Sequence, residues 1–236
     1  MFPRLRKALG VDHYWTSPSG LTALLVTLAL LVFVVIPLES SGLIGRMWVF
    51  VVDMWMAGVI LAGAAALGWH KLRRGLVISG VVLLAITLGV RLLARGLPNR
   101  WTEAVSTALS LVVVSLLVVL ILAMVFRQGP ASRDRIFGAV AAYLLLSLDW
   151  ALGYRFIDVL DPGTFRGLSW AAGAHNFSDF VYFSISTLTT VGYGDIVPLS
   201  LPARSLTSLE SLVGQLFPAI LLARLVSLSL QLSPKE

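Results

Sequence analysis

The sequence predicts an all-α integral membrane protein: six transmembrane helices, with a re-entrant helix and an extended segment between the fifth and sixth. Three observations carry that expectation. The 236 residues are 58% hydrophobic and 13% charged, where a soluble domain carries about 25% charged residues. Mean hydropathy is +0.90. The apolar residues gather into runs at 21–38, 47–69, 76–93, 105–126, 136–154 and 203–230. Each run covers about 27 Å or more as a helix, close to the thickness of a hydrocarbon core.

Residues 1–20 form a cytoplasmic or interfacial segment. Arg4, Arg6 and Lys7 precede Tyr14, Trp15 and Pro18, a composition that suits a short helix lying on the membrane surface. A basic start before an apolar run also resembles a signal peptide. The run 21–38 is long for one, and no small-x-small cleavage site follows it, so a retained span is expected. Residues 21–126 hold four spans. The loop-like stretch 127–133 separates them from a second region, 127–236, with the fifth and sixth spans.

Orientation follows from Lys and Arg. With the N-terminus in the cytoplasm, the basic start lies inside, as do Lys71, Arg73, Arg74, Arg127, Arg133 and Arg135. The outer loop 39–46 then has a single basic residue, Arg46, while Arg95 and Arg100 are exceptions. The bias puts both chain ends inside and the segment between spans five and six outside.

That segment contains Thr189-Thr190-Val191-Gly192-Tyr193-Gly194-Asp195. A strand whose successive carbonyls point the same way alternates between backbone conformations of opposite hand. Gly192 and Gly194 take positive φ without a steric penalty. Such a strand suits a dehydrated cation, with carbonyl oxygens in place of water. The Thr190 hydroxyl adds an oxygen at the inner end.

Residues 190–195 resemble the selectivity-filter signature of potassium channels. In that family, carbonyl oxygens of the filter replace the ion's hydration shell. The resemblance implies K+ coordination at Thr190, Val191, Gly192 and Tyr193, with Gly194 closing the filter. It implies a homotetramer around a central pore, since one chain supplies one strand. It also implies a bacterial inner membrane location, with permeant K+ the only bound species expected.

The resemblance extends to bacterial two-span pores, well over 178–214 and loosely over 136–230. Region 127–236 is then a pore domain of outer helix, pore helix, filter and inner helix. Ser178 is placed to cap a pore helix from Asp179 to Leu188, with Asp179 in its first turn. Tyr182 and Phe183 stand where related pores carry paired aromatics packed behind the filter, and Tyr193 is placed to join them. Thr189 adjoins the filter. Ser186 replaces the glutamate of one bacterial subgroup. Asp195 faces the outer mouth, where a carboxylate raises local cation concentration. Pro198, Arg204 and Gly214 match a mouth proline, an arginine and the inner-helix hinge glycine. Pro218 cannot donate a hydrogen bond to the Gly214 carbonyl, so the sixth span is expected to bend there and shape the inner cavity or gate. Gln215 faces the cavity or bonds another helix.

Asp53, Asp149, Glu210 and Arg224 interrupt apolar runs, and such charges ordinarily face protein or water. Glu210 lies level with the pore helix. It is expected to support the filter from behind, through Ser186 or a filter amide, or to make a polar contact between subunits. Asp149 is placed to meet a front-half cation, and Arg224 to snorkel to the inner surface. Run 105–126 lacks arginine, which excludes an arginine-ladder voltage sensor.

The chain ends six residues past Leu230, so no soluble regulatory domain is expected within it. There is no cysteine, hence no disulfide or thiolate site. His13, His70 and His175 are scattered near loops, and no catalytic constellation appears. The chain is read as no enzyme and no nucleic-acid binder; its net charge of +6 fits topology and lipid headgroups. A potassium-selective, passive channel is the leading function. A potassium transporter subunit and a non-conducting membrane scaffold are the alternatives.

Overall fold

The computed structural model describes residues 19–40, 78, 82, 85–86, 89–90, 99–126, 133–171, 174–175 and 177–231. The second predicted span, Asp53, His13, His70, most of the N-terminal segment and most of the third span lie outside the described residues.

The first predicted span folds as α1 (Ser19–Leu30), a π-helical turn (Leu31–Val35) and α2 (Ile36–Ser40). Ile36 donates its amide to the Leu31 carbonyl, one residue further back than in an α-helix. The sequence supplies a cause. Pro37 has no amide hydrogen and crowds the carbonyl four residues before it, and a widened turn accommodates that crowding.

Helix α3 (Arg100–Val125) begins five residues before its apolar run. Asn99 starts it: its side chain accepts from the Trp101 amide at 3.4 Å, and its carbonyl accepts from the Thr102 hydroxyl at 2.7 Å. Glu103 lies in the first turn, where a carboxylate suits the positive helix end. Helix α4 (Arg133–Leu160) continues past the predicted end at Tyr154. Arg155, just past that end, is carried by the helix: its guanidinium meets Glu103 at 3.0 Å and lies over the Phe177 ring at 5.7 Å.

Beyond α4 come β1 (Phe165–Arg166), β2 (Trp170–Ala171) and β3 (Ala174–His175). Next are α5 (Phe177–Leu188), β4 (Val197–Pro198) and α6 (Leu201–Gln231). Strands β2 and β3 form a small antiparallel pair, as do β1 and β4, with Phe165 opposite Pro198 and Arg166 opposite Val197. Pro202 sits in the first turn of α6, where a missing amide hydrogen costs nothing.

Among the described residues, three helical stretches are long and apolar enough to cross a membrane: Arg100–Ala123, Ile136–Leu160 and Leu201–Arg224. A shorter apolar stretch is Leu24–Leu38.

Helix α4 is the spine, packing against α1, α3, α5 and α6. Its contacts include small residues: Ala139, Ala141, Ala142 and Ala151 are completely buried, alongside Leu145 and Tyr154. Small side chains let helix backbones approach where lipid offers no hydrophobic driving force. The core runs without a break from Leu28 and Val32, through Val114 and Leu145, to Phe165, Phe180 and Phe183. Ala142→Leu is therefore expected to overpack this core and to cost about 1–3 kcal/mol. Thermal unfolding of the detergent-solubilised protein, followed by circular dichroism, is the measurement.

Candidate functional site

Helix α5 ends inside the molecule, and its last four carbonyls all find partners. The Ile185 carbonyl accepts from the Thr189 amide at 3.0 Å and the Thr189 hydroxyl at 2.6 Å. That of Ser186 accepts the amides of Val191 (2.9 Å) and Gly192 (3.1 Å), and that of Thr187 the amide of Thr190 (2.9 Å). The Leu188 carbonyl accepts from the Tyr143 hydroxyl of α4 at 2.8 Å. The chain after the helix is thus folded back onto the helix end.

The segment that follows has alternating hand. Thr190 has φ of 60°, Gly192 of 59° and Gly194 of 80°, while Val191 and Tyr193 between them keep ordinary negative-φ backbone. The glycines were expected from the sequence; Thr190 was not. It is a β-branched residue with positive φ, which costs about 1–2 kcal/mol. The Thr190 amide bond to Thr187 and the two amides on Ser186 hold it there.

The Ser186 hydroxyl accepts from the Tyr193 amide at 3.3 Å. A serine in place of the longer acid therefore still holds the segment from behind, through both its hydroxyl and its carbonyl. Tyr182 stacks on Tyr193, with ring centroids 5.8 Å apart and planes within 5°. Phe183 does something different. It packs into the core against Tyr154 and Phe165, so the aromatic pair splits between segment and core.

The Tyr182 hydroxyl donates to Asp195 Oδ2 at 2.8 Å, and the Ile196 amide donates to Oδ1 at 3.0 Å. The hydroxyl bond holds the Asp195 carboxyl below the usual carboxylate range. Below Asp195 the β1–β4 ladder anchors the loop. Gly167 has φ of 92°, and a Cβ there would lie 2.0 Å from the Asp195 carbonyl oxygen, so only glycine fits. The Arg204 guanidinium donates to the Pro198 carbonyl at 3.3 Å and ties the start of α6 to the same loop.

Several expectations need correction. Helix α5 begins at Phe177, which puts Ser178 inside its first turn rather than at the cap. Asp179 accepts the Ser169 amide at 2.6 Å, anchoring the preceding loop. Glu210, with no solvent exposure, reaches neither Ser186 nor a segment amide. Its carboxylate bonds Ser184 of α5 and Tyr154 of α4, and the Ser184 hydroxyl also lies 2.7 Å from the Ser147 carbonyl. Among the described residues Asp149 accepts from the Ser115 hydroxyl at 2.8 and 3.0 Å, and most of the front-half cations lie outside those residues. Arg224 is engaged by protein: it donates to the Phe126 carbonyl at 2.5 Å and lies 5.0 Å from that ring.

Helix α6 is continuous through Gly214 and Pro218. Gly214 is needed for close approach: a Cβ there would lie 1.9 Å from the Leu188 carbonyl oxygen. Gln215 is exposed on the single chain. Sequence reasoning missed Tyr143, Tyr154 and Ser184. They carry no motif, and their partners lie 26 to 71 residues away.

A family model described as "Ion channel" matches residues 143–230. The chain is 33% identical over 98 residues to "Protein LctB" of Bacillus caldotenax, covering 40% of this chain and 72% of that protein. It is 44% identical over 92 residues to "Two pore potassium channel c" of Oryza sativa subsp. japonica, over 39% of this chain. It is 40% identical over 90 residues to "Two-pore potassium channel 4" of Arabidopsis thaliana, over 37% of this chain. The match spans only 19% and 32% of those two plant proteins. No solved structure matches the chain significantly.

Two outcomes follow from the geometry. Gly214→Ala forces α6 away from the end of α5 and is expected to destabilise the protein by about 1–3 kcal/mol or more, read as a lower thermal midpoint. Tyr182→Phe removes the bond that depresses Asp195, so its carboxyl titrates nearer the ordinary value of about 4. The stabilisation from this group is full above that value and is lost as pH falls through the depressed one. Carbon-13 NMR of labelled aspartate, wild type against variant, checks the shift.

Proposed function

The chain belongs to the potassium-channel pore-loop family, and from that membership we propose that it is a potassium-selective channel conducting K+ passively across a membrane. The observation that carries the proposal is the alternating hand at Thr190, Gly192 and Gly194, held between α5 and α6. Such a backbone can turn successive carbonyls of Thr190, Val191, Gly192 and Tyr193 toward one side. Four copies around an axis then offer a dehydrated K+ a shell of oxygens. The ion follows its electrochemical gradient, and the fixed carbonyls offset the cost of dehydration.

The single chain is consistent with such an assembly. Val191 is 55% and Tyr193 68% exposed, and α6 leaves Leu209, Leu212, Leu216 and Ile220 uncovered. Neighbouring copies and lipid are the natural cover for an apolar surface of this kind. In this reading the filter opens outward and both chain ends are cytoplasmic. Asp195 raises the cation concentration at the mouth, with its carboxylate kept ionised by Tyr182. Gln215 and the Gly214–Pro218 turn of α6 line the inner cavity. Asp149, Ser115 and the helices before residue 127 support the pore from outside.

Purified full-length protein in planar bilayers, with potassium on one side and sodium on the other, tests the reading. Current reversing near the potassium equilibrium potential is expected. Equal sodium permeation, a requirement for an energy source, or silence would overturn it. Gly192→Ala forces a Cβ onto a residue with φ of 59°. It is expected to lower the potassium-over-sodium permeability ratio about ten-fold or more, a loss of roughly 1.4 kcal/mol in discrimination. Bi-ionic reversal potentials measure it.

A further inference from the structure

We propose that the Tyr143 hydroxyl couples the Gly214–Pro218 turn of α6 to the foot of the filter, by presenting one proton to two backbone carbonyls on different helices. The inference rests on the channel reading above and goes beyond it. It assigns a positioning residue on the outer helix.

Pro218 has no amide hydrogen, so the Gly214 carbonyl lacks the donor that an α-helix normally supplies four residues on. The Tyr143 hydroxyl lies 3.4 Å from that carbonyl oxygen. The same hydroxyl lies 2.8 Å from the Leu188 carbonyl oxygen, at the end of α5. A phenol carries one proton. At these distances it serves Leu188, and Gly214 is the competitor.

The two carbonyls meet at one hydroxyl because the helices touch there. The absent side chain of Gly214 leaves room for the Leu188 carbonyl, which a Cβ would otherwise meet at 1.9 Å. The Tyr143 ring packs on Phe217, the residue before Pro218, with centroids 5.4 Å apart. A change in the curvature of α6 at Pro218 therefore moves both the ring's neighbour and the competing carbonyl. Leu188 is two residues before Thr190, the first residue of the filter with positive φ. A shift in the proton's share is thus felt where the filter begins.

The test is a double-mutant cycle in the full chain, using single-channel recordings of wild type, Tyr143→Phe, Pro218→Ala and the double variant. Pro218→Ala returns an amide hydrogen to the Gly214 carbonyl. Each single change is expected to alter open probability about three-fold or more. The effect of Tyr143→Phe should shrink markedly in the Pro218→Ala background. Independent, multiplying effects in a conducting wild type would remove the coupling alone. A wild type that passes no current removes the functional reading and the coupling together.

Should Tyr143→Phe not assemble, the carbonyl carbon-13 shift of labelled Leu188 decides. Pro218→Ala frees the hydroxyl for Leu188 and should move that signal, whereas a static packing role for Tyr143 leaves it unchanged and overturns the proposal.

Discussion

A helix that ends inside a protein must find donors for its last four carbonyls. In this molecule that requirement organises everything around it. Three of the four carbonyls at the end of α5 are met by Thr189, Thr190, Val191 and Gly192, the residues that follow directly. The fourth is met by Tyr143 from α4. To supply those amides the chain must reverse at once, and the reversal puts Thr190 at positive φ. The Thr190–Gly194 segment is hung from the helix end by the carbonyls its amides satisfy.

Around that point α4 contributes three residues. Tyr143 and Tyr154 lie on α4, reaching Leu188 and Glu210 respectively. Ser147 offers its carbonyl to Ser184 from the same helix. Glu210 joins α4, α5 and α6 through one buried carboxylate. A buried polar network of this kind is costly when half satisfied and rigid when complete. The buried alanines of α4, spread around the helix, let its neighbours approach closely.

The parts of this arrangement legible in the sequence were those with local causes. Glycine at 192 and 194 reads as positive φ because no other residue adopts it so cheaply. Apolar length reads as membrane span, which located α3, α4 and α6. The depth of Glu210 pointed to the pore helix. Its partners were illegible, since Ser184 and Tyr154 come from other helices and look like ordinary core residues. Gly214 read as a hinge, but the structure gives it a second cause, contact with Leu188, which no sequence spacing encodes. The apolar run ended at Tyr154 in the sequence, whereas α4 continues through Arg155, whose salt bridge to Glu103 is a tertiary fact. The positive φ of Thr190 was missed for the same kind of reason: it is imposed by α5 rather than chosen by threonine.

The family model matches residues 143–230, which invites treating the preceding helices as an accessory. The hydrogen bond between Ser115 and Asp149 argues otherwise. Asp149 belongs to the outer helix, but its hydroxyl partner comes from α3. Excising everything before residue 127 would strip that partner away and turn a carboxylate toward hydrocarbon, where an ionisable group at the bilayer centre costs about 2.5–3.5 kcal/mol on insertion scales. A minimal two-helix version cut from this chain would therefore need an apolar replacement at position 149. The dependence of one half on the other is written in that acidic side chain, as it is in the Arg155–Glu103 pair.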